Sequence, residues 1–243
     1  LGRYENSLRD LDRALKIDPN YCNAYILRGY LNRINGNIEL AEKDFDKSCQ
    51  LEPKNPQVFH LNAVSKAKLG DHEKAIEDYD KAIDLGENNP IIFSNRAKSY
   101  YNLERFEEAI NDFDEVIKLS PKDTEAFTDR GTSKNQLGRY DEAIQDYDKA
   151  IDLDNKCADL YYYRGIAKHH QKRYVEALND YDEYLNLDPD SKDEELFYNR
   201  GLIKKELGKH KEAIDDFSEA IKLNPEYYQA FNNRGFSKSL LKK

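Results

Sequence analysis

GRYDEAIQDYDKAIDLD, residues 138–154, is the stretch whose reading decides the fold. Ala143, Tyr147 and Ala150 fall at steps of four and three, so they share one face of a helix. The same phrase returns as GDHEKAIEDYDKAIDLG at 70–86 and as GKHKEAIDDFSEAIKLN at 208–224. Looser copies stand at 2–18, 36–52, 104–120 and 172–188. Successive copies are 34 residues apart until the last step, which is 36. The two extra residues fall near Asp190–Asp193, in a polar turn. A period held this long governs the whole chain.

Each repeat is numbered so that its invariant small residue is position 8. Full repeats then run over 22–55, 56–89, 90–123, 124–157, 158–193 and 194–227. A lone second helix (1–21) precedes them and a lone first helix (228–243) follows. Position 4 is aromatic throughout: Tyr25, Phe59, Phe93, Phe127, Tyr161, Phe197 and Phe231. Position 8 is Gly29, Ala63, Ala97, Gly131, Gly165, Gly201 and Gly235. Position 20 is Ala in six copies, with Ser7 in the first, and position 24 is aromatic in six, with Leu11 in the first. Gly at 15 and Pro at 32 punctuate two turns. Small residues at 8 and 20 let two antiparallel helices approach, and the aromatics fill the remaining gap. One such pair cannot bury its aromatics alone, so neighbours must stack. The chain therefore reads as all-α, an α-solenoid of antiparallel helix pairs forming a single array.

Composition agrees. The 243 residues are 39% apolar and 35% charged, and eighteen are tyrosine, which argues against disorder. The net charge of -9 is spread evenly and disfavours nucleic acid, which calls for a basic stripe. No apolar run approaches the roughly 20 residues that span a bilayer. Cys22, Cys49 and Cys157, at unpatterned spacing, form neither a disulfide framework nor a zinc site and read as reduced thiols. The expected compartment is cytoplasmic. With no initiator Met, Leu1 reads as the start of a fragment.

The pattern resembles the tetratricopeptide repeat family: 34 residues, helix–turn–helix, aromatic at 4, small at 8, Ala at 20, aromatic at 24, Pro at 32. The resemblance covers the whole chain. It implies a right-handed superhelix whose first helices (helices A) line a concave groove. It also implies a non-enzymatic scaffold, without cofactor, that holds a peptide or partner protein. The departure is position 7, usually aliphatic in the family, which here is Arg28, Arg96, Arg130, Arg164, Arg200 and Arg234, with Asn62 in the remaining copy.

Position 23 on the second helices (helices B) is Asp in every copy. A ladder of guanidiniums could read an acidic ligand, or each Arg could pair with an Asp across a helix contact. With position 4 at zero, position 7 lies at about −60°, while positions 2, 5, 9, 12 and 13 cluster on the far side. The arginines therefore look towards helices B. In the family the flank carrying position 23 faces helix A of the following repeat. That implies bridges Asp10–Arg28, Asp78–Arg96, Asp112–Arg130, Asp146–Arg164, Asp180–Arg200 and Asp216–Arg234, with Asp44 facing Asn62. Pairing within each repeat is the alternative, which leaves Arg234 without a partner.

Specificity should lie on the groove positions, which vary while the frame repeats. They offer Ile26, Tyr30 and Arg33, then His60, Val64 and Lys68, then Ser94, Lys98 and Tyr101. Thr128, Thr132 and Asn135 follow, then Tyr162, Ile166, His169 and His170, then Tyr198, Leu202 and Lys205. Two apolar-aromatic stretches flank a polar middle, which suits an extended or helical peptide with separated anchors. The C-terminal-carboxylate clamp of some family members is matched by no three successive repeats. An Asn ladder at position 6 is broken, since Asn95, Asn199 and Asn233 are interrupted by Asp129 and Tyr163. His169 and His170 point about 100° apart with no third ligand beside them, so no metal is expected. Joining 228–240 to 1–21 would make one full repeat, so head-to-tail self-stacking of copies is a further expectation.

Overall fold

The computed structural model describes residues 2–241, and among them the chain forms fourteen α-helices. Its contacts divide it into two compact units, Leu1–Pro121 and Lys122–Lys243. The first unit holds α1 (Gly2–Ile17), α2 (Cys22–Ile34), α3 (Ile38–Leu51), α4 (Pro56–Lys68), α5 (His72–Asp84), α6 (Pro90–Asn102) and α7 (Phe106–Leu119). The second holds α8 (Thr124–Gln136), α9 (Tyr140–Leu153), α10 (Ala158–His170), α11 (Tyr174–Leu187), α12 (Glu194–Glu206), α13 (His210–Leu223) and α14 (Tyr228–Leu240). Even-numbered helices are helices A and odd-numbered ones helices B.

Local chemistry sets the helix ends. The side chains of Asn55, Asn89, Asp123 and Asp193 accept hydrogen bonds from backbone N–H groups in the first turns of α4, α6, α8 and α12. Each cap satisfies a donor that the helix itself cannot. Pro56 and Pro90 sit at the first helical position, where a missing N–H costs nothing. The turn from A to B needs a left-handed residue at position 15. Gly36, Gly70, Gly138 and Gly208 take φ of 80°, 84°, 74° and 74°, and the two non-glycine residues there, Glu104 and Lys172, take 58° and 60°. A side chain in that region is strained by about 1–2 kcal/mol, which glycine's greater unfolded-state freedom only partly offsets. Lys172→Gly should therefore raise the stability of the second unit by about 0.5–1 kcal/mol in urea melts followed by circular dichroism. An unchanged or lowered midpoint would show that the turn is not strained.

Each hairpin closes on a fully buried B-helix aromatic. Phe45, Tyr79, Phe113, Tyr147, Tyr181 and Phe217 are at most 1% exposed, and the alanines at position 20 are at 0%. A Cβ added to Gly165 would sit 2.8 Å from Tyr181 Cε1, and one on Gly201 at 2.8 Å from Phe217 Cε1. Glycine is present at position 8 because the ring lies against the backbone of helix A. The position 4 aromatics were expected to fill the same gap. Instead most are half-buried, and they lie beneath the position 7 guanidiniums at 5.2–5.8 Å. The core is completed from position 3, where Ala24, Val58, Ile92, Ala126, Leu160, Leu196 and Ala230 are buried.

Within each unit, helices B pack against their own helix A and against the next one. Successive helices A also touch, α2 with α4 and α4 with α6 in the first unit, and α8, α10, α12 and α14 in sequence in the second. The junction of α11 with α12, where the repeat is two residues longer, is less extensive than that of α9 with α10.

Candidate interaction face

The arginines form a spine in which Arg28, Arg96, Arg164 and Arg200 each tie three helices together. Arg28 donates from Nε to Asp44 Oδ2 at 2.9 Å and from Nη1 to Asp12 Oδ1 at 2.6 Å. Arg96 does the same with Asp112 (2.8 Å) and Asp80 (2.6 Å). Arg164 pairs with Asp180 (3.1 Å) and Asp148 (2.6 Å), and Arg200 with Asp216 (3.0 Å) and Asp182 (3.0 Å). Arg130 donates from Nε to Asp146 at 3.0 Å. Each partner at position 23 lies in the arginine's own repeat. Each position 25 partner lies on the helix B before it.

The inter-repeat pairing inferred from the sequence is therefore corrected. Asp78, Asp112, Asp146, Asp180 and Asp216 all serve their own repeats, and Asp10 lies exposed on α1. Positions 23 and 25 are about 200° apart on helix B, so one faces its own helix A and the other the next. Pairing within each repeat leaves Arg234 without a position 23 carboxylate, and its Nη1 donates instead to Ser218 Oγ, the position 25 residue of the preceding helix B, at 3.1 Å. Asp44 faces Arg28 and not Asn62. Asn62 takes the arginine's place with a shorter side chain, and its Nδ2 donates to both Asp46 (2.7 Å) and Asp78 (2.9 Å).

Two members of this spine were missed, and both are periodic in the sequence. Asp stands at position 25 in six of seven helices B, and Lys stands at position 11 in Lys66, Lys134, Lys168, Lys204 and Lys238. Lys66, Lys134, Lys168 and Lys204 reach the position 23 carboxylate of their own repeat at 2.7–2.8 Å. Asp180 and Asp216, at 4% exposure, are thus held by an Arg fork and a Lys together. Such saturation offsets the cost of taking a carboxylate out of water. The hydrogen bond to Asp44 is the main cause that lifts the Arg28 guanidinium above its ordinary range.

With the charged frame turned inward, the variable side chains define the other face of helices A. Tyr30 is exposed there, while Ile26, His60, Val64, Lys98, Tyr101, Tyr162, Ile166, His169, Tyr198 and Leu202 are each half-buried. Several share their surface with the core. Tyr162 and Ile166 pack against the cluster around Tyr181, and Tyr198 and Leu202 against the cluster around Phe217. Consecutive helices A are laced by polar contacts. Asn199 Nδ2 donates to Tyr162 Oη at 3.4 Å, Asn233 Nδ2 to Tyr198 Oη at 3.2 Å, and Lys205 Nζ to Asn233 Oδ1 at 3.0 Å. His60 Nδ1 lies 2.7 Å from Glu87 Oε1. Burial, with a smaller contribution from His170, lowers the pKa of His169, so its ring joins this surface as a neutral group. Tyr140 stacks on His170 at 5.0 Å. Burial pushes the Cys22 thiol up to about 11 and the Cys49 thiol up to about 12, so both are protonated at neutral pH. Among the described residues no group of three His, Cys, Asp or Glu could hold a metal, and no helix is long and apolar enough to cross a membrane.

Hairpins of this kind, repeated with a saturated inner frame and a variable outer face, define a helical repeat protein of the α-solenoid class. The chain belongs to the tetratricopeptide repeat family. Models of the tetratricopeptide repeat match residues 90–123 and 194–227, 158–191 and 23–55, and a further TPR repeat model matches 65–104 and 131–172. No curated protein sequence matches the chain. Solved structures share its fold. The C-terminal part of a TPR repeat-containing protein from Cytophaga hutchinsonii aligns with a TM-score of 0.78 at 17% identity, over 95% of this chain and 94% of that one. Pseudomonas aeruginosa PilF aligns at 0.70 and 21% identity, over 87% and 96%. YrrB, described as a TPR protein with an unusual peptide-binding site, aligns at 0.66 and 21% identity, over 74% and 93%.

Proposed function

We propose that this array is a non-catalytic interaction scaffold that holds a segment of a partner protein on the exposed face of its helices A. One observation carries the reading. The charged residues that recur along the array are satisfied inside the frame, by hydrogen bonds between Arg, Asp and Lys, so recognition falls to the residues that change. Those residues include Ile26, Tyr30, His60 and Val64 in the first unit, and Tyr162, Ile166, His169, Tyr198 and Leu202 in the second. Tyrosine at such positions supplies a broad apolar surface with a polar tip and few rotamers to freeze, which suits peptide capture. The printed description of YrrB as peptide-binding is consistent with this use of the fold.

Photo-crosslinking tests the proposal. A benzophenone amino acid at Tyr30, Tyr162 or Tyr198 should trap the same partner protein, while one at Lys149 on the exposed side of α9 should trap none. Tyr162→Ala/Ile166→Ala should weaken capture with the helical circular dichroism spectrum retained. Equal trapping from Lys149, or capture indifferent to the double substitution and to every A-face position, would leave an architectural spacer instead.

A further inference from the structure

We infer that the A-helix face of the first unit takes an acidic segment in which carboxylates alternate with bulky apolar side chains, bound through its side chains and not its C-terminus. This rests on the A-face reading above and specifies its partner for α2, α4 and α6.

Forty-seven Asp and Glu residues are spread along this chain, yet α2, α4 and α6, of 13 residues each, contain none. In the second unit α8 carries Glu125 and Asp129, α10 carries Asp159, and α12 carries Glu194, Glu195 and Glu206, while α14 carries none. In the first unit the carboxylates lie on helices B and in the turns. Of the six Lys and Arg side chains of α2, α4 and α6, Lys98 already has a partner. Arg28, Lys66 and Arg96 are taken up by the spine. Arg33 and Lys68, at positions 12 and 13 on the A face, make no ion pair among the described residues. Arg33 is half-buried, with its guanidinium 5.4 Å from the Tyr30 ring. The carboxylate that borders this face, Glu87, is already held by His60 at 2.7 Å and by Asn89 Nδ2 at 2.9 Å. It therefore does not neutralise Arg33 or Lys68.

The result is a cationic face on a protein of net charge -9. Between its cations lie apolar side chains, with Tyr30 44% and Ile34 62% exposed and Val64 half-buried. A basic partner would meet two unpaired cations here, and a purely polar acidic one would leave the apolar surface wet. An acidic segment with bulky apolar side chains satisfies both. Two cations are too few to track a nucleic-acid backbone, where several phosphates must be neutralised together.

The probe is a fluorescent peptide of roughly 12 residues alternating Glu with Leu or Phe, acetylated and C-terminally amidated, long enough to cross several helices A at about 10 Å apiece. Its counterpart carries Lys for every Glu. Binding to the full chain is read by anisotropy at about 50 and about 200 mM salt, which brackets the range where exposed charges become screened. The acidic probe should bind about tenfold tighter than the basic one, with the margin shrinking at higher salt. R33E/K68E should remove about five- to tenfold of that affinity, and Lys149→Glu on the exposed side of α9 should leave it unchanged. A basic probe that binds as well as the acidic one, and is lost on Tyr30→Ala/Val64→Ala, would overturn the charge assignment while the A-face reading stands. No binding of either probe would overturn the assignment too, and loss of A-face crosslinking to the protein's own partner alongside it would remove both readings. Preference for a single-stranded oligonucleotide over the acidic peptide would also overturn it.

Discussion

Replacing Arg164 with leucine lowers the stability of the second unit by about 3–5 kcal/mol, the expected cost of leaving a buried carboxylate without its partner. Asp180 is 4% exposed and receives Nε and Nη2 of Arg164 as a fork. Lys168 alone would remain to hold it, at 2.7 Å. Asp148, with 52% of its side chain exposed, can return to water and so contributes less than about 1 kcal/mol. The pairing is tested by a double-mutant cycle in urea, with helicity as the signal. Arg164→Leu should couple to Asp180→Asn by about 1–3 kcal/mol and to Asp146→Asn by no more than about 0.5. Stronger coupling to Asp146 would restore the inter-repeat bridge that the hydrogen bonds contradict. Because stability in stacked repeats is a sum of local and neighbour terms, the loss should appear as earlier melting near α9–α11.

Tyr181→Ala should cost about 3–5 kcal/mol, since the ring is at 0% exposure and closes the contact of α11 with α10. Gly165 provides the internal control. Gly165→Ala alone should destabilise by about 1–2 kcal/mol, the cost of driving a Cβ into a ring 2.8 Å away, less the gain in helix propensity. With Tyr181 already alanine, the same Gly165→Ala should become stabilising by up to about 1 kcal/mol. A change of equal sign in both backgrounds would mean that the ring is not what keeps position 8 small. Tyr181→Phe separates ring from hydroxyl. The Tyr181 hydroxyl is buried without a hydrogen-bond partner, so its removal should be neutral or favourable by about 1 kcal/mol. Phe already occupies this position in Phe45, Phe113 and Phe217.

Much of the frame was legible in the sequence because its chemistry is local and repeated. Glycine at position 15 marked a turn, and Gly or Ala opposite an aromatic marked a close helix approach. The wheel correctly turned the arginines away from the A face. It failed at the next step, because a projection of helix A cannot say which of two neighbouring helices B a long side chain will meet. The A face was less legible still. Tyr162 and Tyr198 each carry both a core contact and a hydrogen bond to the next helix A, through Asn199 and Asn233. Their half-burial depends on neighbours that are 35 and 37 residues away in sequence.

The sequence by itself determined the period, the helix pairs and their turns, and the family. These follow from residue size, backbone freedom and apolar spacing, all of which act within one repeat. Only the tertiary structure decided how the charges are shared. Arg28, Arg96, Arg130, Arg164 and Arg200 each reach a carboxylate on their own helix B, and Arg28, Arg96, Arg164 and Arg200 reach another on the helix B before it. The physical reason is desolvation. A buried carboxylate must gather all its donors at once, and here these come from helices that only folding brings together.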